Sequence, residues 1–252
     1  MNNAWQRPPR NLQLSADLID VWKVPLNLPP AQVRNYRAVL SREEQQRCDK
    51  FKSEKRRREF IIGRGLLRTL MGQCLEMDPS VFEFAYTEHQ KPYLPVAALG
   101  VPITFNISHS RDLALVALAL ERHIGIDIEY LRPDVDFKKL AGRFFSERES
   151  RSLEAYHDVR LTAAFFACWT RKEALLKALG EGIAFGLGDF SVAVDPQDRV
   201  VTLHTHWDEA EAARWSIVNL DLNPGYAAAV AASGAIFKLR CWDLFRTSQH
   251  RW

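Results

Sequence analysis

Hydrophobic residues in the first third of the chain recur at helical spacing and then give way to short runs typical of strands. Between positions 57 and 75 they fall every three or four residues, as Phe60, Leu67 and Leu70 show, which predicts a helix. Ser41 followed by Glu44 has the spacing of a capping box, so a shorter helix is expected from 42 to about 52. Strands are predicted at 18–26, 81–86, 103–107 and 113–120, with a hairpin turn at 108–112.

The same pattern starts again after His123. A strand is predicted at 124–130, a second capping box at Ser146 and Glu149, and a long helix over 159–179 that ends at Gly180. Strands follow at 190–194, 200–204 and 215–230, the last folded at a turn over 223–225. We therefore predict an α+β fold of two similar, pseudo-twofold-related subdomains, 1–123 and 124–252, each with helices packed on an antiparallel sheet. The functional site is expected in the crevice between them.

Two acidic residues lie on one face of the strand at 124–130. Asp127 and Glu129 alternate with Ile126 and Ile128, so the carboxylates share a face about 7 Å apart while the isoleucines face the core. Such a pair is common on a solvated sheet surface. It is also a candidate site for a hard cation such as magnesium, because no cysteine or histidine accompanies it.

A charged pair prolongs an aromatic row on the long helix. Glu173 and Lys177 are four residues apart and continue the row of Phe165 and Trp169. They are either an ordinary exposed ion pair or two ligand-binding groups at the point where the core meets a crevice. The intervening residues 170–172 are expected to face solvent.

The segment FNISHS, at 105–110, places polar residues at the end of a strand and in a turn. Asn106, Ser108 and His109 are candidate cofactor-binding residues, since hydroxyl, imidazole and free backbone N–H groups bind phosphate oxygens. An ordinary turn uses the same residue types. No catalytic triad is predicted, because no nucleophile-elbow glycines surround either serine.

Composition excludes several classes of protein. A chain with 47% hydrophobic and 26% charged residues can bury a sizeable core. Charges interrupt every apolar stretch well short of the roughly 18 residues of a membrane helix, and no signal segment is visible, so a cytoplasmic protein is expected. The four cysteines form no CxxC pair, which argues against a zinc cage or a disulfide framework.

Basic residues cluster at 52–58, Arg64 and Arg68. This cluster is either a solvated helix face or an anion-binding surface, and the sequence leaves both interpretations open.

Four motifs in order, FNISHS, GIDIE, RFFSERE and WTRKEALLKALGEGI, resemble the surfactin-synthetase-type family of 4′-phosphopantetheinyl transferases. The resemblance covers about 40–195, and the first 30 residues are similar, more loosely, to cyanobacterial members. It implies a monomer that uses magnesium and moves 4′-phosphopantetheine from coenzyme A to a serine of an acyl, aryl or peptidyl carrier protein. The other product would be 3′,5′-adenosine bisphosphate.

The resemblance also implies roles for particular residues. Asp127, Glu129 and Glu173 match the family's magnesium ligands, and Lys177 matches its catalytic lysine near the pyrophosphate. We expect Glu173 to take the proton of the carrier serine as well, directly or through a water molecule. Ser108 and His109 match residues that hold the nucleotide phosphates.

Two further matches lie outside these motifs. Lys91 matches the lysine of a Gly-Lys-Pro loop at the coenzyme, and Arg47 matches a basic residue near the 3′-phosphate. Gln90 stands where the family usually has glycine, which puts the local conformation before Lys91 in question.

Three rival functions remain open. A nucleic-acid-binding module on the basic cluster lacks a recognisable motif, and neither nucleic acid nor membrane is expected as a partner. The others are a magnesium-dependent enzyme acting on another nucleotide and a protein that binds coenzyme A without catalysis. The three acids argue against the last.

Overall fold

Two four-stranded sheets form the frame of the molecule. The computed structural model describes residues 4–9, 12–88, 91–96, 100–180, 186–201, 203–205, 209–222, 224–234 and 237–245. The first half contains β1 (Leu18–Pro25), α1 (Pro30–Ala38), α2 (Arg42–Lys50), α3 (Glu54–Leu75), β2 (Ala85–Tyr86), β3 (Pro92–Tyr93), β4 (Ile103–Ser110) and β5 (Leu113–Leu120). No helix in these ranges is long and apolar enough to cross a membrane.

The second half repeats the order of strand, helices and hairpin. It contains β6 (Ile124–Tyr130), α4 (Phe137–Phe144), α5 (Glu147–Leu153), α6 (Asp158–Leu179), β7 (Phe190–Val192), β8 (Val200–Val201), β9 (Leu203–Thr205), α7 (Glu209–Ala212), β10 (Trp215–Asn219), β11 (Tyr226–Ser233) and β12 (Lys238–Asp243). Both capping boxes are present, at Ser41 and at Ser146.

The sheet order confirms the repeated α+β architecture. The sheets run β12-β1-β5-β4 and β6-β11-β10-β8. In each half the first strand pairs antiparallel with the last strand of the hairpin, β1 with β5 and β6 with β11. A helix of 22 residues, α3 or α6, connects the first strand to the later hairpin.

Three large clusters of buried residues, beside a small one around Leu40, form the hydrophobic core and arrange the molecule as helix, sheet, sheet and helix. Alternate residues of β1, β5, β6 and β11, among them Val21 and Ile126, form a shared core between the two sheets. The opposite face of β1, with Trp22 and Val24, packs on α3. The core of the second half lies around α6 and includes Phe165. Removal of this apolar surface from water is the main stabilising contribution, about 25 cal/mol for each Å².

Three predicted boundaries were wrong. The strand expected at 81–86 is only Ala85–Tyr86, because Asp78 and Pro79 begin a 3₁₀ turn that ends at Val81. The run at 200–204 is divided between β8 and β9, which belong to different sheets. β4 continues to Ser110, so the hairpin turn contains only Arg111 and Asp112, and the polar residues of FNISHS are strand residues.

The last strand, β12, was not predicted at all. It pairs parallel with β1, from Leu18 opposite Lys238 to Lys23 opposite Asp243. Asp20 holds it there through a two-point contact with Arg240, at 2.7 and 2.6 Å. The division of the chain near His123 stays a prediction, and β12 departs from it by joining the first sheet.

Candidate active site

A polar cleft of about 410 Å³ lies where β4, β6 and α6 meet. β4 belongs to the first sheet and β6 to the second, so the cleft is built from both halves of the chain. Its lining consists of Ile107, Ser108, His109, Asp127, Glu129, Trp169, Glu173 and Lys177. Six predicted site residues are therefore brought together.

Asp127 is the centre of the hydrogen-bonded network in this cleft. Its Oδ1 lies 2.6 Å from Lys177 Nζ and accepts a hydrogen bond of 2.8 Å from Ser108 Oγ. Lys177 Nζ also donates to Ser108 Oγ, at 3.1 Å. The other carboxylate oxygen, Asp127 Oδ2, is buried and accepts no hydrogen bond within the described structure. A buried, unpartnered carboxylate oxygen favours a cation beside it.

The two remaining acids also favour additional positive charge. Burial raises the pKa of Glu173, and the carboxylates of Asp127 and Glu129 raise it further against the opposing charge of Lys177. Burial likewise raises the pKa of Glu129, which accepts a hydrogen bond of 2.9 Å from Ser110 Oγ. Lys177, together with Arg132 near Glu129, offsets the charge of these three acids only in part.

Side chains, rather than a regular ladder, join β4 to β6. Asn106 Oδ1 accepts from the backbone N–H of Ile126 at 2.8 Å, and Ser110 Oγ accepts from that of Tyr130 at 3.0 Å. These bonds give partners to backbone N–H groups along the edge of β6, and they place Ser108 beside Asp127. The amide oxygen of Asn106 serves this junction, and Asn106 is not among the residues that line the cleft. A cofactor-binding role for it stays a prediction.

Gly125 explains how α6 comes to lie over the acidic strand. A Cβ at this position would lie 2.1 Å from Ala174 O and 2.4 Å from Ala178 N, so no other residue fits without displacing the helix. The close approach places Glu173 and Lys177 above Asp127, two residues further along β6. The glycine of GIDIE is thus a packing requirement of the site.

The structure places Lys91 and Arg47 in other cavities. Lys91 lines a crevice of about 790 Å³ with Ile124 and Gly180. Arg47 lines a cavity of about 520 Å³, with its guanidinium 5.1 Å from the centre of the Phe60 ring. Gln90, where the family usually has glycine, lies outside the described residues.

The prediction that residues 170–172 face solvent was wrong. Thr170, Arg171 and Lys172 are all fully buried. Lys172 Nζ lies 2.6 Å from Glu149 Oε1, and Arg171 donates to the carbonyl oxygens of Ala193 and Asp195 at 2.6 and 2.7 Å. β7 and the segment after it cover this flank of α6, which helical periodicity alone did not reveal.

Sequence reasoning also missed a second use of the capping-box glutamates. Glu149 binds Lys172 of α6, and Glu44 binds Arg68 of α3 with Nε 2.7 Å from Oε2. Each basic residue is the fifteenth of its 22-residue helix, counted from 54 to 68 and from 158 to 172. A capping box followed by a long helix with a basic residue at its fifteenth position could have predicted these two ion pairs.

Four arginines of the basic cluster make contacts within the fold that neither open interpretation predicted. Arg64 and Arg68 are buried beside Glu44. Arg57 donates to the carbonyl oxygens of Cys48 and Phe51 at 3.1 and 3.0 Å. Arg58 likewise donates to backbone carbonyls that precede α1.

Comparisons with known proteins agree with this geometry. A model of the 4′-phosphopantetheinyl transferase superfamily matches residues 123–231, and a model of a 4′-phosphopantetheinyl transferase N-terminal region matches 29–121. The 4′-phosphopantetheinyl transferase HetI of a Nostoc species is 38% identical over 96% of this chain and 99% of that protein. A putative 4′-phosphopantetheinyl transferase of a Synechocystis species is 32% identical over 78% and 77%. The 4′-phosphopantetheinyl transferase Sfp of Bacillus subtilis is 29% identical over 84% and 92%.

Both halves of the chain are thus covered by matching family models, and the similarity to the Nostoc enzyme extends over nearly the full length of both proteins. The chain belongs to the 4′-phosphopantetheinyl transferase superfamily and is a phosphopantetheinyl transferase.

Proposed function

We propose that the cleft around Asp127 transfers 4′-phosphopantetheine from coenzyme A to a serine of an acyl, aryl or peptidyl carrier protein. The observation that carries this proposal is the convergence of Ser108, Asp127 and Lys177 from both halves of the chain, with Asp127 Oδ2 left without a hydrogen-bond partner in the described parts of the structure. A phosphoryl transfer site needs cationic and hydrogen-bonding groups around a displaced pyrophosphate. The cleft provides them together with three acids.

The donor set fits a magnesium ion. Carboxylate oxygens are its preferred protein ligands, and the raised pKa values of Glu129 and Glu173 arise partly from neighbouring carboxylates that a cation would neutralise. Among the described residues no three His, Cys, Asp or Glu side chains are already arranged around one point. Asp127, Glu129 and Glu173 would therefore hold the ion together with waters or phosphate oxygens, as is usual for magnesium. When bound, the ion would neutralise charge on the pyrophosphate.

Lys177 and Ser108 are suited to the pyrophosphate oxygens. The Lys177 side chain is 30% exposed while its ammonium already meets the Ser108 hydroxyl, so both groups can turn from Asp127 to a phosphate. His109 is exposed at the same cleft and would contact a nucleotide phosphate. Arg47 remains the proposed contact of the 3′-phosphate.

Glu173 is the proposed general base. The carrier serine Oγ would attack the β-phosphorus, the bond from that phosphorus to the bridging oxygen would break, and 3′,5′-adenosine bisphosphate would leave with the electron pair. The serine proton would pass to a Glu173 carboxylate oxygen. Glu173 lines the cleft together with Asp127, and because a bound cation would lower its pKa, the proton would pass on through water rather than remain on the carboxylate.

Mass spectrometry of the carrier tests this function directly. Apo carriers from fatty acid, polyketide and nonribosomal peptide synthesis are incubated with the protein, coenzyme A and magnesium, and the carrier serine is expected to gain one phosphopantetheine. Asp127→Asn and Glu173→Gln should each lower the rate at least about a hundredfold, and chelation of the metal should stop transfer. Glu154→Gln, at an exposed position after α5, is the matched control and should be as active as wild type.

Transfer within tenfold of wild type in Asp127→Asn would refute the site. Binding of coenzyme A without any modified carrier would instead indicate the non-catalytic rival. Turnover of ATP but not of coenzyme A would indicate an enzyme for another nucleotide.

A further inference from the structure

Lys91 connects the two halves of the molecule at one end of the catalytic helix. It lies just before β3, in the first half, and its ammonium donates to the carbonyl oxygens of Ile124, at 3.4 Å, and of Lys177. Its backbone is fixed to Thr87 by two hydrogen bonds, from Lys91 N to Thr87 Oγ1 at 3.2 Å and from Thr87 N to Lys91 O at 3.0 Å. The lysine is therefore held at both ends.

The carbonyl of Lys177 needs a partner of this kind. It lies in the last turn of α6, where carbonyl oxygens have no N–H donor four residues further along the helix. A cation at this end is favourable, because the helix dipole places negative partial charge there. Lys91 therefore caps the Lys177 carbonyl from the other half of the chain, beside the C-cap residue Gly180.

Lys177 is held from both sides as a result. Its carbonyl is bound by Lys91, and its ammonium reaches Asp127 Oδ1 at 2.6 Å and the carbonyl of Ile126 at 3.3 Å. Gly125 lies between the two strand carbonyls, at the point where α6 touches β6. A displacement of the last turn here would change the position of Lys177 relative to Asp127.

The surroundings of Lys91 argue against direct contact with a phosphate in the cleft. The crevice that it lines shares no residue with the lining of the catalytic cleft. Burial, and to a smaller extent the charge of Lys177, lowers the pKa of Lys91 to about 8. Its ammonium is largely removed from water and already bound to main-chain carbonyls.

We infer that Lys91 is a positioning residue of the transferase: it fastens the last turn of α6 to the start of β6 and so sets where Lys177 meets Asp127. Its effect on catalysis passes through Lys177. This inference rests on the proposed function for its kinetic consequences, whereas its structural consequence can be measured without activity.

The test replaces Lys91 by methionine, which keeps the apolar stem and removes the ammonium. Lys91→Met should lower kcat about tenfold and leave KM for coenzyme A within about twofold, because a displaced group costs transition-state stabilisation more than ground-state binding. Hydrogen exchange of the amides in the last turn of α6 should accelerate at least about tenfold, while amides of β5 exchange as in wild type. Lys91→Arg should recover most of both losses, and Lys238→Met, an exposed lysine in β12, is the matched control.

A double-mutant cycle tests whether the effect passes through Lys177. In a Lys177→Met background, which retains the Lys177 carbonyl, Lys91→Met should lower kcat less than twofold further. A tenfold rise in KM for coenzyme A with unchanged kcat and unchanged exchange would overturn the inference and make Lys91 a coenzyme contact. Independent, multiplying losses in the cycle would also overturn it. Should wild type prove inactive, the exchange measurement still decides the structural role, and the proposed function fails separately.

Discussion

Replacing Lys172 by methionine should destabilise the protein strongly. The sequence around Lys172 and Glu173 is typical of a charged helix surface, but Lys172 is buried. Its ammonium lies 2.6 Å from Glu149 Oε1 and 2.6 Å from Phe190 O, and both side chains of the ion pair are 0% exposed. Removal of one partner from a buried ion pair typically costs about 3–5 kcal/mol, since the other charge stays buried. Glu149 retains N–H donors from Ser146 and Val192, each at 2.8 Å, so the lower end of that range is expected.

Urea denaturation at neutral pH measures this loss. With an m-value of about 3 kcal/mol per molar urea, a loss of about 3 kcal/mol moves the midpoint by about 1 M. The matched control is Arg151→Met, which removes an i,i+4 ion pair with Glu147 whose side chains are 71% and 78% exposed. The control should cost less than about 0.5 kcal/mol.

A double variant identifies the cause. Glu149→Gln combined with Lys172→Met leaves no charge at this pair, but the Gln amide nitrogen cannot accept one of the two main-chain N–H bonds, so the double variant should be at least as stable as Lys172→Met alone. A loss below about 1 kcal/mol in Lys172→Met, or a double variant less stable than the single one, would refute the reasoning.

Three further predictions follow from the cleft and its frame. Lys177→Ala should lower kcat about a hundredfold, whereas His109→Ala should mainly raise KM for coenzyme A. If His109→Ala and wild type lose binding to the same relative extent when dephospho-coenzyme A replaces coenzyme A, His109 does not contact the 3′-phosphate. Gly125→Ala should cost about 3 kcal/mol in unfolding free energy because its Cβ collides with α6, whereas Gly142→Ala, where a Cβ meets nothing within 4 Å, should not destabilise the protein. Arg56→Glu should lower kcat/KM for an acidic carrier at low salt, and an effect that persists undiminished in salt of roughly 0.5 M, about three times physiological ionic strength, would exclude electrostatic steering.

Local patterns were sufficient for the elements that build the site. Alternation along β6 sets which face each residue occupies, so Asp127 and Glu129 were placed correctly on the side opposite Ile126 and Ile128. Helical spacing likewise placed Glu173 and Lys177 on one face of α6, and both line the cleft. The spacing of these residues and the chemistry of their side chains together therefore predicted which side chains line the cleft.

Non-local packing explains what the sequence did not reveal. Nothing in the residues around Arg171 shows that β7 and the following segment cover that flank of α6. The parallel pairing of β12 with β1 joins positions more than 200 residues apart, and no turn signal connects them. The direction of the Lys91 ammonium, toward main-chain carbonyls of the other half, depends on the same kind of long-range contact.

The repeated frame places one buried aspartate in each half, and their surroundings explain why only one is available for chemistry. Ile19, Asp20 and Val21 on β1 correspond to Ile126, Asp127 and Ile128 on β6, since the flanking residues of both face the shared core. Both oxygens of Asp20 are bound, by Arg240 at 2.7 and 2.6 Å and by Trp242 at 2.7 Å, all from β12. In the second half, β4 lies beside β6, and Ser108 and Lys177 contact only Oδ1 of Asp127. Arg240 and Trp242 thus hold Asp20 in a structural contact, whereas Oδ2 of Asp127 has no hydrogen-bond partner among the described residues and is the oxygen that the proposed cation would contact.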